Sequence, residues 1–181
     1  MSKPKKLSTT QLHEKLLASL RPIVLAHSDL GQKPLEIDLR APVSARLRVY
    51  MYNATNPPGG RTLGEYKIQL MVPGQKGGEV GNFATDDDRL ILLVGYADSD
   101  GVFILWDAGL YVDFAHSRNV QVKSETVIAA MAGKIAEQDR RLRPRPGEQA
   151  KETVVACQSK NLIEGIQQRM ELTRDRLCKI D

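Results

Sequence analysis

The sequence has few of the residues from which metal centres and disulfide frameworks are built. It holds two cysteines, three histidines and one tryptophan in 181 residues. Cys157 and Cys178 lack both the Cys-x-x-Cys spacing and the nearby histidine of a zinc site, so we expect reduced thiols, no metal and no cofactor. No stretch approaches the ~18 apolar residues of a membrane helix, and no apolar segment follows the basic start. We therefore expect a soluble, cytoplasmic protein without a membrane partner.

The chain does have enough apolar sequence for a core, together with an uneven charge. Its length and its hydrophobic content of 41% fit one globular domain. The net charge is only +4, but residues 1–48 contain nine Lys and Arg against four Asp and Glu. Such a local excess of cations points to a polyanionic partner. We predict a basic flexible tail over residues 1–7 and a single domain over residues 8–181.

The periodicity of apolar residues changes along the chain. Residues 8–27, "STTQLHEKLLASLRPIVLAH", place leucines at helical spacing after residues that can cap a helix, which predicts an amphipathic helix. Five short segments with strand-like composition follow, separated by loops rich in Pro, Gly and Asp. These predicted strands are residues 35–39, 45–53, 65–72, 89–97 and 101–108. The Asp-Gly step at residues 100–101 predicts a hairpin between the last two.

The second half of the chain predicts two more helices and a strand. A short strand leads into a helix that starts near Ser124, with a buried stripe of Val127, Ile128, Met131 and Ile135, and "RPRPGEQA" ends it. Residues 152–157 predict a strand and residues 160–177 a closing helix. The fold class is therefore α+β: a curved, mostly antiparallel sheet, with N-terminal, middle and C-terminal helices packed on it. A barrel-like form of this sheet is an alternative.

The segment "EYKIQL" carries an unusual set of polar side chains for a strand. Alternation places Glu65, Lys67 and Gln69 on one face of the strand. It places Tyr66, Ile68 and Leu70 on the other, apolar face. A solvated face with cross-strand ion pairs is one interpretation. Another is a nuclease of the PD-(D/E)xK type, in which Asp38, Glu65 and Lys67 are catalytic and magnesium is the cofactor.

A third interpretation is nucleic-acid recognition. The region around this strand and a second polar loop, residues 113–122, are rich in the side chains that contact DNA most often. The candidate DNA-binding residues are Arg48, Asn53, Thr55, Arg61, Lys67, Gln69, Ser117, Arg118 and Asn119. We assign phosphate contacts to Arg61, Lys67 and Arg118, and base-edge contacts to Asn53, Thr55, Gln69 and Asn119. For Asn53, closure of its own turn is an equal alternative.

Four segments together resemble a known family. They are "LRVYMYNATNPPGGRTLGEYKIQLMVPG", "LILLVGYADSDGVFILWDA", "HSRNVQVKSETVIAAMAGK" and "ETVVACQSKNLIEGIQ". They resemble the N-terminal recognition domain of bacterial restriction endonucleases that is labelled methylase-associated, over about residues 8–170.

This resemblance implies double-stranded DNA as the partner, a role in bacterial defence by restriction and modification, and the sensing of a modified base. It also implies that a nuclease domain or subunit carries out the cutting. Since the chain ends soon after its last predicted helix, we expect no catalysis by this chain alone. A protein-interaction subunit that works through its helices is the alternative from another class.

Overall fold

The computed structural model describes residues 5–56 and 64–179, and over these ranges the fold is α+β, as the sequence predicts. The helices lie at the start, middle and end of the chain: α1 (Thr9–Leu20), α2 (Ser124–Met131) and α3 (Leu162–Cys178). The strands, in chain order, are β1 (Val24–His27), β2 (Leu35–Leu39), β3 (Ala45–Asn53), β4 (Glu65–Leu70), β5 (Val80–Gly81), β6 (Leu90–Ala97), β7 (Val102–Trp106), β8 (Phe114–Ala115), β9 (Arg118–Lys123), β10 (Ala136–Leu142) and β11 (Ala150–Gln158). None of the described helices is both long and apolar enough to cross a membrane.

Seven of these strands form the main sheet, in the spatial order β1-β2-β3-β6-β7-β11-β10. Neighbours are antiparallel except β3 and β6, which run parallel. The sheet is thus mixed, and the described strands do not close it into a barrel. The predicted hairpin is confirmed: β6 turns into β7 at Gly101, whose positive φ of 64° and N–H bond to Ala97 O (2.8 Å) close the turn.

The main sheet separates two apolar layers. One side packs against α1 and α3, with Leu16 and Ile166 fully buried there. The other side packs against α2 and against a small antiparallel sheet of β4 and β9, where Ile68 and Val120 are buried. A further two-stranded sheet joins β5 and β8. The alternation in β3 supports both layers, because Met51 faces one cluster and Tyr50 faces the other.

Three sequence predictions about elements are wrong. The first helix ends at Leu20, and residues 24–27 form the edge strand β1. The predicted strand 65–72 pairs outside the main sheet. The middle helix ends at Met131, where Gly133 (φ +92°) stops it, and the remainder becomes β10, paired along its length with β11. Of the predicted buried stripe, Val127 is buried, but Ile128 and Met131 are exposed.

Candidate nucleic-acid interface

The pairing of β4 with β9 brings the two predicted polar regions together. Side chains directly opposite each other on antiparallel strands share a face of the sheet. The facing pairs are Glu65 with Lys123, Lys67 with Gln121, and Gln69 with Asn119. We call these six residues the polar face. It contains Lys67, Gln69 and Asn119 from the predicted set, contributed by segments about fifty positions apart in the chain.

The local sequence explains why this face is free of apolar packing. On the reverse side Ile68, Leu70, Val120 and Val122 are buried against the main sheet. The alternation of both strands is therefore satisfied with their apolar side chains inward, and the polar side chains are left pointing away from the core. Gln69 and Asn119 are exposed, whereas Lys67 is half-buried.

Thr55 joins the polar face to the main sheet. Its N–H donates to Lys67 O and its carbonyl accepts from Lys67 N–H, both at 2.9 Å. This short bridge follows the end of β3, so it holds Lys67 close to the last residues of that strand. Thr55 and Lys67, two of the predicted residues, are fixed side by side at the level of the main chain.

A cavity of about 270 Å³ opens beside this bridge. Four predicted residues line it, namely Asn53, Thr55, Lys67 and Gln69. The charged side chains that line it in the described part of the chain are Lys6, Lys33 and Lys67, with no Asp or Glu among the lining residues. We call it the lysine cavity. Its local charge is positive, which suits an anion.

Lys33 is the residue of this cavity that sequence reasoning missed. It precedes β2, and its Nζ lies 3.7 Å from the centre of the Tyr52 ring, a cation–π contact. Burial lowers the pKa of Lys33 to about 8. The cation excess of residues 1–48 was a signal for a basic site in this region, but it did not distinguish Lys33 from eight other cations.

Asn53 is engaged by the chain's own N-terminal segment. Its Oδ1 accepts from Leu7 N–H and its Nδ2 donates to Leu7 O, both at 2.9 Å. The partner is thus a residue 46 positions away and not the turn that Asn53 itself opens. The pairing holds the main chain of Leu7 beside the lysine cavity. Lys6, the residue before Leu7, also lines that cavity.

One protein family matches the chain. The family model described as methylase-associated X1 matches residues 45–166, which is more than half of the chain. The chain belongs to the methylase-associated X1 family. No curated protein and no solved structure matches it. Family membership confirms the resemblance on which the sequence analysis drew and indicates a module related to restriction and modification.

The methylase-associated X1 match covers part of the candidate site. Residues 45–166 include both strands of the polar face, Asn53 and Thr55. They do not include Lys6 or Lys33. The lysine cavity is therefore built from the region matched by the family model and from the segment that precedes it.

Arg48 stands apart from the other predicted residues. Its side chain is 7% exposed and donates to Ala84 O (2.7 Å), Asp87 Oδ2 (2.7 Å) and Asp86 Oδ1 (3.0 Å), with Glu36 at 3.3 Å. Burial alone would lower the pKa of Arg48, but the hydrogen bonds to Glu36 and Asp86 raise it. These contacts leave no open side of the guanidinium for a phosphate, so we leave Arg48 out of the interface.

The predicted residues of the second loop are divided between two faces. Asn119 lies on the polar face, but Arg118 leans over the Tyr111 ring, 5.1 Å from its centre, on the side of Val120. Ser117 has a left-handed φ of 61°, and its Oγ lies 3.1 Å from His116 Nδ1. Arg61 lies outside the described residues.

The residues of the nuclease alternative do not form one site. Asp38 lies on β2 of the main sheet and accepts from Arg89 Nη1 at 2.9 Å, with Arg46 at 3.6 Å. Glu65 lies on the separate β4–β9 sheet, opposite Lys123. Across residues 5–56 and 64–179, no three His, Cys, Asp or Glu side chains gather closely enough to hold a metal ion. The geometry gives the nuclease alternative no support.

A second concave region lies between β6, β7 and α3. It encloses about 1110 Å³ and is bordered by buried charges. Asp107 accepts from Arg176 Nε at 2.6 Å and lies 3.7 Å from Arg169, while Glu152 accepts from the Tyr111 hydroxyl at 2.7 Å. These charges are engaged with one another and tie α3 to the sheet, unlike the lysines of the cavity.

Proposed function

We propose that this chain binds double-stranded DNA as the recognition module of a restriction-modification system. The observation that carries the proposal is that Lys67 and Gln69 belong to the polar face and also line the lysine cavity, in which the charged side chains of the described residues are all lysines. Lysines supply phosphate contacts, and amides of Gln and Asn read base edges. One surface thus offers both kinds of contact.

The roles that we propose for the side chains use the pairing of β4 with β9. Lys67 and Lys123 contact phosphates from the polar face. Arg61 and Arg118 keep the phosphate role that the sequence predicts, but Arg118 lies on the Val120 side, outside the polar face. Gln69 and Asn119 sit opposite each other and exposed, so they approach the same base pair or neighbouring ones. Thr55 and Ser117 flank them. Asn53 supports the interface through Leu7 rather than reading bases.

The salt dependence of duplex binding tests this proposal. Binding in the micromolar range or tighter is expected at about 50 mM salt, with affinity falling steeply as counterions are released. Lys67→Ala should weaken binding about tenfold and reduce the slope of log K against log salt by about 0.9, on every sequence alike. Fluorescence anisotropy with labelled duplexes measures both.

The matched control is Lys160→Ala, which removes an exposed lysine between β11 and α3, outside both the polar face and the lysine cavity. It should bind like the unchanged chain. Unmodified and methylated duplexes are compared to test whether a modified base is sensed. Absence of binding to every duplex at low salt would end the proposal, and magnesium-dependent cleavage lost in Glu65→Ala would replace it with the nuclease alternative.

A further inference from the structure

Lys33 is held in a position that costs stability without a compensating ion pair. No carboxylate of the described residues lies within salt-bridge distance of its ammonium, and its recorded neighbour is the Tyr52 ring at 3.7 Å. Partial burial disfavours a charged amine. The other charged side chains that line the cavity in the described part of the chain, Lys6 and Lys67, carry the same sign of charge as Lys33 and offer it no ion pair.

Among the described residues, the titratable neighbours of Lys33 supply no negative charge either. His13 on α1 packs nearby, and burial lowers its pKa, with the charge of Lys33 acting in the same direction. Tyr52 donates its hydroxyl proton to Met71 O at 2.6 Å, and burial raises its pKa. Neither side chain becomes an anion at neutral pH. A buried cation with such neighbours is the arrangement expected where a ligand supplies the missing negative charge.

The shape of the cavity indicates the size and character of that ligand. At about 270 Å³ it is larger than a bare anion requires and lies just below the ~300–1,000 Å³ of typical small-ligand sites. One part of its wall is apolar, with Leu12, Met51 and Met71. Another part presents the hydroxyl of Thr55 and the amide of Gln69, neither of which hydrogen-bonds to another described side chain. An anionic group attached to a partly apolar body fits this lining.

We propose that the lysine cavity binds a single nucleotide unit through its phosphate, with Lys33 as the principal phosphate-binding residue. This inference rests on the proposed function for the identity of the ligand. The phosphate is that of a nucleotide within or at the end of a DNA strand, or that of a free nucleotide, and in each case it presents anionic oxygens to the lysines. Lys6 and Lys67 complete the cationic lining, and the apolar wall contacts the sugar or base.

Titration of the full chain with a deoxynucleoside monophosphate and with inorganic phosphate tests the site. Thermal unfolding and isothermal calorimetry are measured for the unchanged chain, for Lys33→Met and for Lys15→Met. Lys15 is exposed on α1, so its variant removes one lysine charge without touching the cavity. We expect the nucleotide to raise the melting temperature of the unchanged chain and of Lys15→Met, and its affinity to fall at least about tenfold in Lys33→Met.

The stability of the variant gives an independent readout. The pKa of Lys33 is about 8 in the folded chain, below the ordinary value of 10.5. Between these values the unfolded chain binds more protons, so folding stability rises with pH through this window. Lys33→Met removes the buried charge and should melt higher than the unchanged chain at neutral pH, with a flatter dependence above pH ~8. A structural role for the ammonium would give the opposite sign.

The pH dependence of binding adds a third readout. A phosphomonoester is already a dianion above pH ~7, so a loss of nucleotide affinity as pH rises through ~8 reports the ammonium of Lys33. His13 and Tyr52 do not titrate in this window, because their pKa values move away from it in opposite directions. Lys15→Met should lose nucleotide affinity with rising pH as the unchanged chain does. The affinity of Lys33→Met should not change with pH in this window.

The outcomes separate this inference from the proposed function. Equal nucleotide affinity in Lys33→Met and Lys15→Met, or no millimolar binding by the unchanged chain, would overturn the inference even if duplex binding is intact. Absence of duplex binding together with loss of nucleotide affinity in Lys33→Met would keep the phosphate site and remove the proposed function. Competition between mononucleotide and duplex would assign the phosphate to DNA, and independent binding would assign it to a free nucleotide.

Discussion

Two cationic regions of this molecule differ in what surrounds their charges. In the lysine cavity, Lys6, Lys33 and Lys67 share a lining to which residues 5–56 and 64–179 contribute no carboxylate. In a second region, which we call the arginine cluster, each cation faces acidic side chains. Arg48 contacts Glu36, Asp86 and Asp87. The cluster consists of Arg46, Arg48 and Arg89 with Glu36, Asp38, Asp86, Asp87 and Asp88.

The difference separates structural from ligand-binding cations. Charges matched within the protein stabilise the fold and present little net potential to a partner, whereas charges that lack a match keep their potential and destabilise the protein until an anion arrives. The chemistry of the side chains contributes as well. Arg48 holds several oxygens at once through its planar fork, while the compact ammonium of Lys33 is partly desolvated over a ring.

The largest expected effect comes from breaking the arginine cluster. Arg48→Met should lower the free energy of unfolding by about 2–3 kcal/mol, because it removes the side-chain donor to Ala84 O and the buried ion partner of Glu36, Asp86 and Asp87. Because the partner carboxylates are partly exposed, the loss of stability should lie at the lower end of the range for broken buried ion pairs. Chemical denaturation measures it. DNA affinity, measured far below the melting temperature, should not change.

The control within the same cluster is Arg46→Met. The Arg46 side chain is 53% exposed and its partner Asp88 73% exposed, so its removal should cost less than about 1 kcal/mol. If Arg48→Met instead lost DNA affinity while keeping its stability, Arg48 would belong to the interface and the division between the two regions would be wrong.

The next largest effect is expected in the polar face, from the loss of the Gln69 amide. Gln69→Ala should reduce the preference for the best duplex over a scrambled one by about 2 kcal/mol, since an amide reads a base edge with that order of discrimination. Stability should hardly move, because Gln69 is exposed. Competition anisotropy gives the preference. Gln149→Ala, at an exposed turn between β10 and β11, is the matched amide control; equal preferences in the two variants would remove Gln69 from base readout.

The smallest effect concerns the segment that borders the lysine cavity. Asn53→Ala removes both hydrogen bonds to Leu7 at the edge of the fold, so stability should fall by about 1 kcal/mol while the sequence preference stays intact. Asn53→Asp keeps the oxygen that accepts from Leu7 N–H, so it should lose less stability than Asn53→Ala. Thermal melting with the same duplex competition measures both. A flattened preference without a change in melting would return Asn53 to the set that reads bases.

Some predictions succeeded because they depend on residues that are close in sequence. The start of α1 is a capping box in which Ser8 and Gln11 satisfy each other's main-chain donors. The strand β4 shows its alternation directly, with Ile68 buried and Gln69 exposed. Ranges of α3, β3 and β11 followed from the same short-range patterns. The prediction of the middle helix failed because residues 136–142 pair with a strand whose residues lie eight to twenty positions later, a contact that outweighs helix propensity.

The amino-acid sequence by itself determined the fold class, the polar face of β4 and the family to which the chain belongs. Only the tertiary structure decided which cations are matched. Arg48 and Asp87 are 39 positions apart, and Asn53 and Leu7 are 46 apart, so no local pattern links them. Periodicity shows on which face a side chain lies, but the potential of a charge depends on what the folded chain places within a few ångströms of it. For Lys33 that environment is the Tyr52 ring, in a cavity that Lys6 and Lys67 also line, which is why this residue became visible only in the folded molecule.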